Sequence, residues 1–285
     1  MLEAVLKGCS WLRENCEAVK GTMVLLVAGA ALVKFYVNRQ NRRKRWAAVG
    51  KDIVIVHGLP KGHRTPNPSP LTLTLETYLR LAKIPYQMDY EEPFGPMGKS
   101  PWITLNGEEM GDSQMIIKML GRRFGNDFSA KLTPEQQGAA RAFHMMVTEY
   151  LALVFRMWRW VENRGWTMLQ EKPCAPKKPL KGQKICKRTC IQGIGRHSPE
   201  EIHCIIERNL TAISLYLGDK AFLMGSDPCE VDCALFGSLT HIMWNYPGSP
   251  YETIIKVKYP NLKEYVLRVK ERLWPDWDQC LRSPK

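Results

Sequence analysis

A serine–proline step at Ser100-Pro101, set directly before the apolar run Trp102-Ile103-Thr104-Leu105, restricts this chain more than any other feature. Proline has no amide hydrogen to give a sheet, and an X–Pro bond is the one peptide link that takes the cis form at small cost. A cis bond here turns the chain into a strand, so Gly98 to Ile103 reads as a bend at a sheet's edge. The neighbourhood agrees. Ile53-Val54-Ile55-Val56 is a β-branched run suited to a buried strand, and turn-formers from Pro60 to Pro70 follow it. Leu71, Leu75, Tyr78, Leu79 and Ala82 then fall on one face of a helix over Leu71–Ala82. Ile84-Pro85-Tyr86 opens a second strand, and Asn106-Gly107 suits a hairpin turn from the third strand to a short fourth. With another helix at Ser113–Leu120, residues 48–125 read as an α/β domain of βαβ–ββα order.

The rest of the chain reads differently. Thr133-Pro134-Glu135-Gln136 joins a threonine cap to a proline at the first helical position, announcing a long helix to about Arg164. Its stripe of Phe143, Met146, Leu151, Val154 and Phe155 is of core type, and His144 and Glu149 on it read as structural. Residues 165–197, with Pro173, Pro176, Pro179, Gly182 and Gly193 among lysines, read as a basic loop insertion. Its Cys174, Cys186 and Cys190, with His197 and His203, match no compact zinc knuckle, so no metal site is expected. Ser198-Pro199-Glu200-Glu201 caps a helix whose apolar face runs from Ile202 to Leu217, where Gly218-Asp219 stops it. A helix from Cys233 and a last one from Pro260 to about Trp274 complete an all-helical domain over 130–279.

Charge and cysteines narrow the setting. The 285 residues carry a formal charge of +13, which favours an anionic partner. The excess sits in two clusters, Arg39–Arg45 and Lys177–Arg188, without stacking-aromatic or finger patterns. That excludes the nucleic-acid classes and leaves solvated faces or anionic lipid. Nine scattered cysteines fit reduced thiols in a cytosolic compartment better than a secreted disulfide framework.

Gly21 to Val37 is an apolar run broken only by Lys34, and as a helix it spans about 26 Å. Residues 1–47 thus read as an N-terminal segment with a single-pass transmembrane helix at about 21–37. A signal peptide is opposed by the twenty residues before the run, and a presequence by Glu3, Glu14 and Glu17. Arg39, Arg42, Arg43, Lys44 and Arg45 follow the run with no acid among them, so the main body should face the cytosol. The mitochondrial outer membrane and the endoplasmic reticulum both suit such a segment.

Three local patterns, Gly98-Lys99-Ser100-Pro101-Trp102-Ile103, Asp112-Ser113, and Phe222-Leu223-Met224-Gly225 followed by Asp232, resemble the glutathione transferase superfamily over roughly residues 50–277. More narrowly, Leu75–Arg80, Ile84–Gln87, Gly193–Arg196, Leu217–Lys220, Phe236–Leu239 and Trp274–Trp277 resemble the failed axon connections family, near the metaxins. The resemblance implies a thioredoxin-like N-terminal domain, an all-α C-terminal domain and glutathione as ligand. By it, Ser69 sits where relatives place the serine or cysteine that meets the glutathione thiol. Ser100 would offer its backbone amide and carbonyl beside a cis Pro101, Asp112 would take the γ-glutamyl ammonium, and Ser113 the carboxylate.

The departures weigh against chemistry. Where relatives read Ser-Pro-Phe-Cys, Leu71 and Thr72 occupy the last two places, so no redox cysteine serves disulfide exchange. A lone serine without a base activates a thiol only through the helix N-terminus. Cys229 replaces the usual hydroxyl cap three residues before Asp232, whose role reads as structural. The expected function is a membrane-anchored, non-catalytic adaptor with protein partners, acting in axon development or organelle-surface assembly. The competing expectation is a glutathione-dependent transferase or isomerase using Ser69.

Overall fold

The computed structural model describes residues 16–158 and 180–283. The chain divides into two units, Met1–Lys51 and Asp52–Lys285. In the first, helix α1 (Cys16–Ala47) extends well past the expected apolar run at both ends. Its stretch Lys20–Ala47 is long and apolar enough to cross a membrane, and none of its most apolar window is buried. Lys44 and Arg45 stand in its last turn, where positive charge complements the free carbonyls.

The second unit begins with β1 (Val54–His57), α2 (Pro70–Leu81), β2 (Tyr86–Asp89), β3 (Trp102–Leu105), β4 (Glu108–Gly111) and α3 (Ser113–Phe124). The sheet order is β2-β1-β3-β4, with β1 and β2 parallel and the other pairs antiparallel. The Ser100–Pro101 bond is cis. Asn106 and Gly107, with φ of 50° and 88°, make the expected hairpin turn, and Gly125 at φ 68° ends α3 in the left-handed region that glycine favours.

Alternation along the strands sorts the two faces. Val54, Val56, Ile103 and Leu105 pack with Leu75, Tyr78 and Leu79 of α2 and Ile116 and Leu120 of α3. The opposite face carries Ile55, His57, Trp102 and Thr104, all buried. Residues 90–100 cover Trp102 as irregular chain, with the indole N–H donating to the Glu92 carbonyl at 2.8 Å.

The helical half comprises α4 (Pro134–Met145), α5 (Ala152–Met157), α6 (Leu180–Ile191), α7 (Pro199–Leu217), α8 (Glu230–Thr240), α9 (Pro250–Thr253) and α10 (Pro260–Leu273). Thr133 and Ser198 each close a reciprocal capping box. The long helix expected from Pro134 stays helical through Met157, widened to π geometry over Met146–Leu151 between α4 and α5, and residues 159–164 lie outside the described residues. Two expectations change. The basic segment 165–197 is not all loop, because α6 and a turn at Ile194–Arg196 occupy its second part. Pro179 and Gly193 bracket α6 as start and stop signals, and Gly193 has a φ of 95°. Helix α8 starts three residues before Cys233, since Cys229 is its cap.

The two halves interlock. Leu73 of α2 belongs to the helical core, and Cys233 of α8 belongs to the core beneath the sheet. A polar hub adds to this. Arg80 of α2 donates to both carboxylate oxygens of Asp276, at 2.5 and 2.9 Å, and its guanidinium lies 3.9 Å from the Trp274 ring centre. Arg80 also donates to Tyr86 Oη, whose hydroxyl donates to the buried Glu76 at 3.1 Å.

Burial pushes the Glu76 carboxyl up from 4.5 to about 7, against the pull of Arg80 and Tyr86. Between those values the folded protein binds the extra proton, so this group's contribution is full below pH 4.5 and fades as pH rises. Relative to Glu76→Gln, the wild type is expected to lose about 3 kcal/mol between pH 4.5 and 7 in urea unfolding. Parallel stability curves for the two proteins contradict this.

Candidate functional site

One register row sets the site. Asp89, His57, Trp102 and Gly111 lie side by side across the sheet, so the end of β1, the start of β3 and the end of β4 share one edge. The loop to Ser69, the cis Ser100–Pro101 bond and the Asp112-Ser113 pair therefore all emerge there. Strand topology brings Ser100, Pro101, Asp112 and Ser113 to that edge, and the loop from β1 leads to Ser69.

Ser69 caps α2. Its hydroxyl oxygen accepts the Thr72 N–H at 3.4 Å, and its own N–H donates to Asn67 Oδ1 at 3.0 Å. Among the described residues no cysteine, histidine or carboxylate hydrogen-bonds to that hydroxyl. The loop before it is tied down along its length. Lys61 reaches the Gln279 carbonyl at 3.1 Å, and Arg282 N–H donates to the Gly62 carbonyl at 2.8 Å. Asn245 donates to Thr65 Oγ1 at 2.7 Å, and Asn67 Nδ2 holds the Leu59 carbonyl at 2.8 Å. A loop so bound keeps Ser69 in its capping geometry.

Asp112 stands at φ 70°, a left-handed conformation rare for a residue with a β-carbon and of the kind that clusters at ligand sites. One carboxylate oxygen accepts the N–H groups of Gln114 and Met115 at 3.1 and 3.3 Å, so this side chain caps α3. Ser113 is buried beside it. Ser100 Oγ is buried with no hydrogen-bond partner.

Three features are not visible in the sequence. His57 is wholly buried, bonded to Asp89 Oδ2 and Thr104 Oγ1 at 2.9 Å each and stacked 3.7 Å from the Trp102 ring. Only its position ending a β-branched run points inward. His144, expected to be satisfied, has an Nε2 atom buried without a partner. Burial and the Arg141 charge push it down to about 4, against Asp112, so it is neutral at physiological pH. The Glu76–Arg80 pair at i,i+4 spacing is the one local sign of the hub.

Asp232 is structural, as expected. It accepts the Leu223 N–H at 2.8 Å, the Cys229 N–H at 2.9 Å and the Tyr265 hydroxyl at 2.9 Å.

Comparison with known proteins agrees with this architecture. The family described as "Glutathione S-transferase N-terminal domain" matches residues 70–165, and "Glutathione S-transferase, C-terminal domain" matches residues 206–269. Failed axon connections of Drosophila melanogaster is 29% identical over 92% of this chain, which spans 66% of that relative's length. Isoprene-epoxide–glutathione S-transferase of Rhodococcus sp. (strain AD45) is 27% identical over 77% of the chain and 99% of its own length. Metaxin-2 of Mus musculus is 21% identical over 72% of the chain and 82% of its own. Among solved structures, a glutathione transferase from Phanerochaete chrysosporium superposes with a TM-score of 0.55 at 14% identity, covering 78% of this chain and 98% of that one.

Proposed function

Because the chain belongs to the glutathione S-transferase superfamily, on the side of Failed axon connections and the metaxins, we propose that it is a membrane-anchored, non-catalytic binding protein. The observation that carries this reading is the state of Ser69. Its oxygen serves a helix cap, no base among the described residues reaches it, and Leu71 and Thr72 stand where a thiol would serve exchange chemistry. The organisation that goes with this reading is an anchor segment over 1–47, a thioredoxin-like domain over 48–125 and a helical domain over 130–279. The body faces the cytosol, the residues Arg39–Arg45 attract anionic lipid, and protein partners dock on the body. Likeness to Failed axon connections and metaxin-2 supports work in axon development or at an organelle surface, the mitochondrial outer membrane or the endoplasmic reticulum.

Alkaline carbonate extraction of the expressed full-length chain is expected to leave it in the membrane pellet, and release to the supernatant contradicts the anchor. An N-terminal tag is expected to resist protease on intact membranes while the body is digested. A digested tag reverses the topology.

A second reading, a glutathione-dependent transferase or isomerase acting through Ser69, draws on the cis Ser100–Pro101 bond and the unpartnered Ser100 hydroxyl. In it Ser69 donates its hydroxyl hydrogen to the thiolate, Ser100 and Pro101 hold the peptide backbone, and Asp112 and Ser113 hold its γ-glutamyl end. Likeness to the Rhodococcus transferase along that enzyme's whole length favours it. The cap geometry and the missing base weigh against it.

A further inference from the structure

Helix α6 sets Cys186 and Cys190 four residues apart, both as free, half-buried thiols. At that spacing two side chains share a helix face with β-carbons about 5–6 Å apart. A disulfide needs β-carbons about 3.5–4.5 Å apart, so an intact helix holds this pair too far for an S–S bond. The same span suits two sulfurs with one ion between them. We propose that Cys186 and Cys190 form a two-thiolate site for a soft monovalent cation of the copper(I) class.

Donor count selects the ion. Among the described residues no group of three or more His, Cys, Asp or Glu side chains could hold a metal, so a four-coordinate structural zinc site is not assembled. Two thiolates suffice for copper(I), which soft sulfur ligands select over harder divalent ions.

The chain around the pair is braced. Thr189, wholly buried between the two cysteines, donates to the Cys186 carbonyl at 2.9 Å. The turn after the helix folds back so that Cys190 Sγ donates to the Gly195 carbonyl at 3.4 Å. A β-carbon at Gly195 would fall 2.7 Å from Cys190 N, so this approach requires glycine. Arg196 Nε donates to the Cys190 carbonyl at 3.0 Å. On binding, two thiols release two protons, the Cys190 bond to the Gly195 carbonyl is given up, and one cation enters, leaving a centre with one net negative charge. Arg196, bonded to the Cys190 carbonyl, supplies positive charge beside it.

The full-length chain, reduced and anaerobic, is titrated with copper(I) delivered as its bathocuproine disulfonate complex, and transfer is read from loss of the chelate's colour. Wild type is expected to bind one equivalent more than Cys186→Ser or Cys190→Ser. Cys204→Ser, which alters an exposed thiol on α7, is expected to keep that equivalent. Equal uptake by wild type and both helix variants overturns the site. Alkylation with peptide mass spectrometry reads it independently. Copper(I) is expected to shield Cys186 and Cys190 together while Cys204 stays reactive, and labelling of the pair at the metal-free rate overturns the proposal.

Discussion

Replacing Asp232 with alanine is expected to cost the fold about 3–5 kcal/mol, a large share of the stability of an ordinary domain. The side chain is 1% exposed, and its loss strands the N–H groups of Leu223 and Cys229 where water does not reach and leaves the Tyr265 hydroxyl only the Asp232 backbone carbonyl at 3.2 Å. Asp232→Asn keeps an oxygen for two of those donors but turns its own N–H2 toward the third, so it should recover about half of the loss. Urea unfolding of the full-length chain in detergent reads both variants. An alanine variant within about 0.5 kcal/mol of wild type, the range of a surface substitution, contradicts the structural role.

The second large effect lies where α2 crosses α8. A β-carbon at Gly237 would stand 2.7 Å from the Pro70 carbonyl oxygen and 3.2 Å from Thr74 N. Both are backbone atoms of α2, which cannot swing aside as a side chain does. Gly237→Ala is therefore expected to destabilise by about 3 kcal/mol, at the upper end of core overpacking, although alanine is the better helix former. Gly138 on α4 is the control. A β-carbon added there would meet no atom within 4 Å, so Gly138→Ala should stabilise by about 0.5–1 kcal/mol. Because Pro70 follows Ser69 directly, pressure at Gly237 also reaches the cap at the candidate site. Equal unfolding midpoints for Gly237→Ala and wild type contradict the close crossing.

What the sequence discloses is local. The proline turn, the hairpin at Asn106-Gly107, and the caps at Ser69, Thr133 and Ser198 each depend on residues within a few positions of one another. They are readable for that reason. The features that bind the halves together are not. Asp276 lies 196 positions from Arg80, and Asn245 lies 180 from Thr65, separations that no periodicity carries. Helix α6 is hidden by its own boundaries, since proline and glycine mark helix ends as well as loops. At the candidate site, spacing places Ser69 at a helix start, but that its oxygen serves the cap is a matter of geometry. The partnerless state of His144 likewise depends on what packs around it.

At the centre of this protein is a sheet edge that gathers the cis Ser100–Pro101 bond and the caps at Ser69 and Asp112, with no base among the described residues bonded to the Ser69 hydroxyl. Calorimetric titration of the full-length chain with glutathione tests that most directly. No saturable heat at millimolar glutathione is the predicted result. Saturable heat in wild type that disappears in Ser113→Ala would contradict it and restore the enzyme reading.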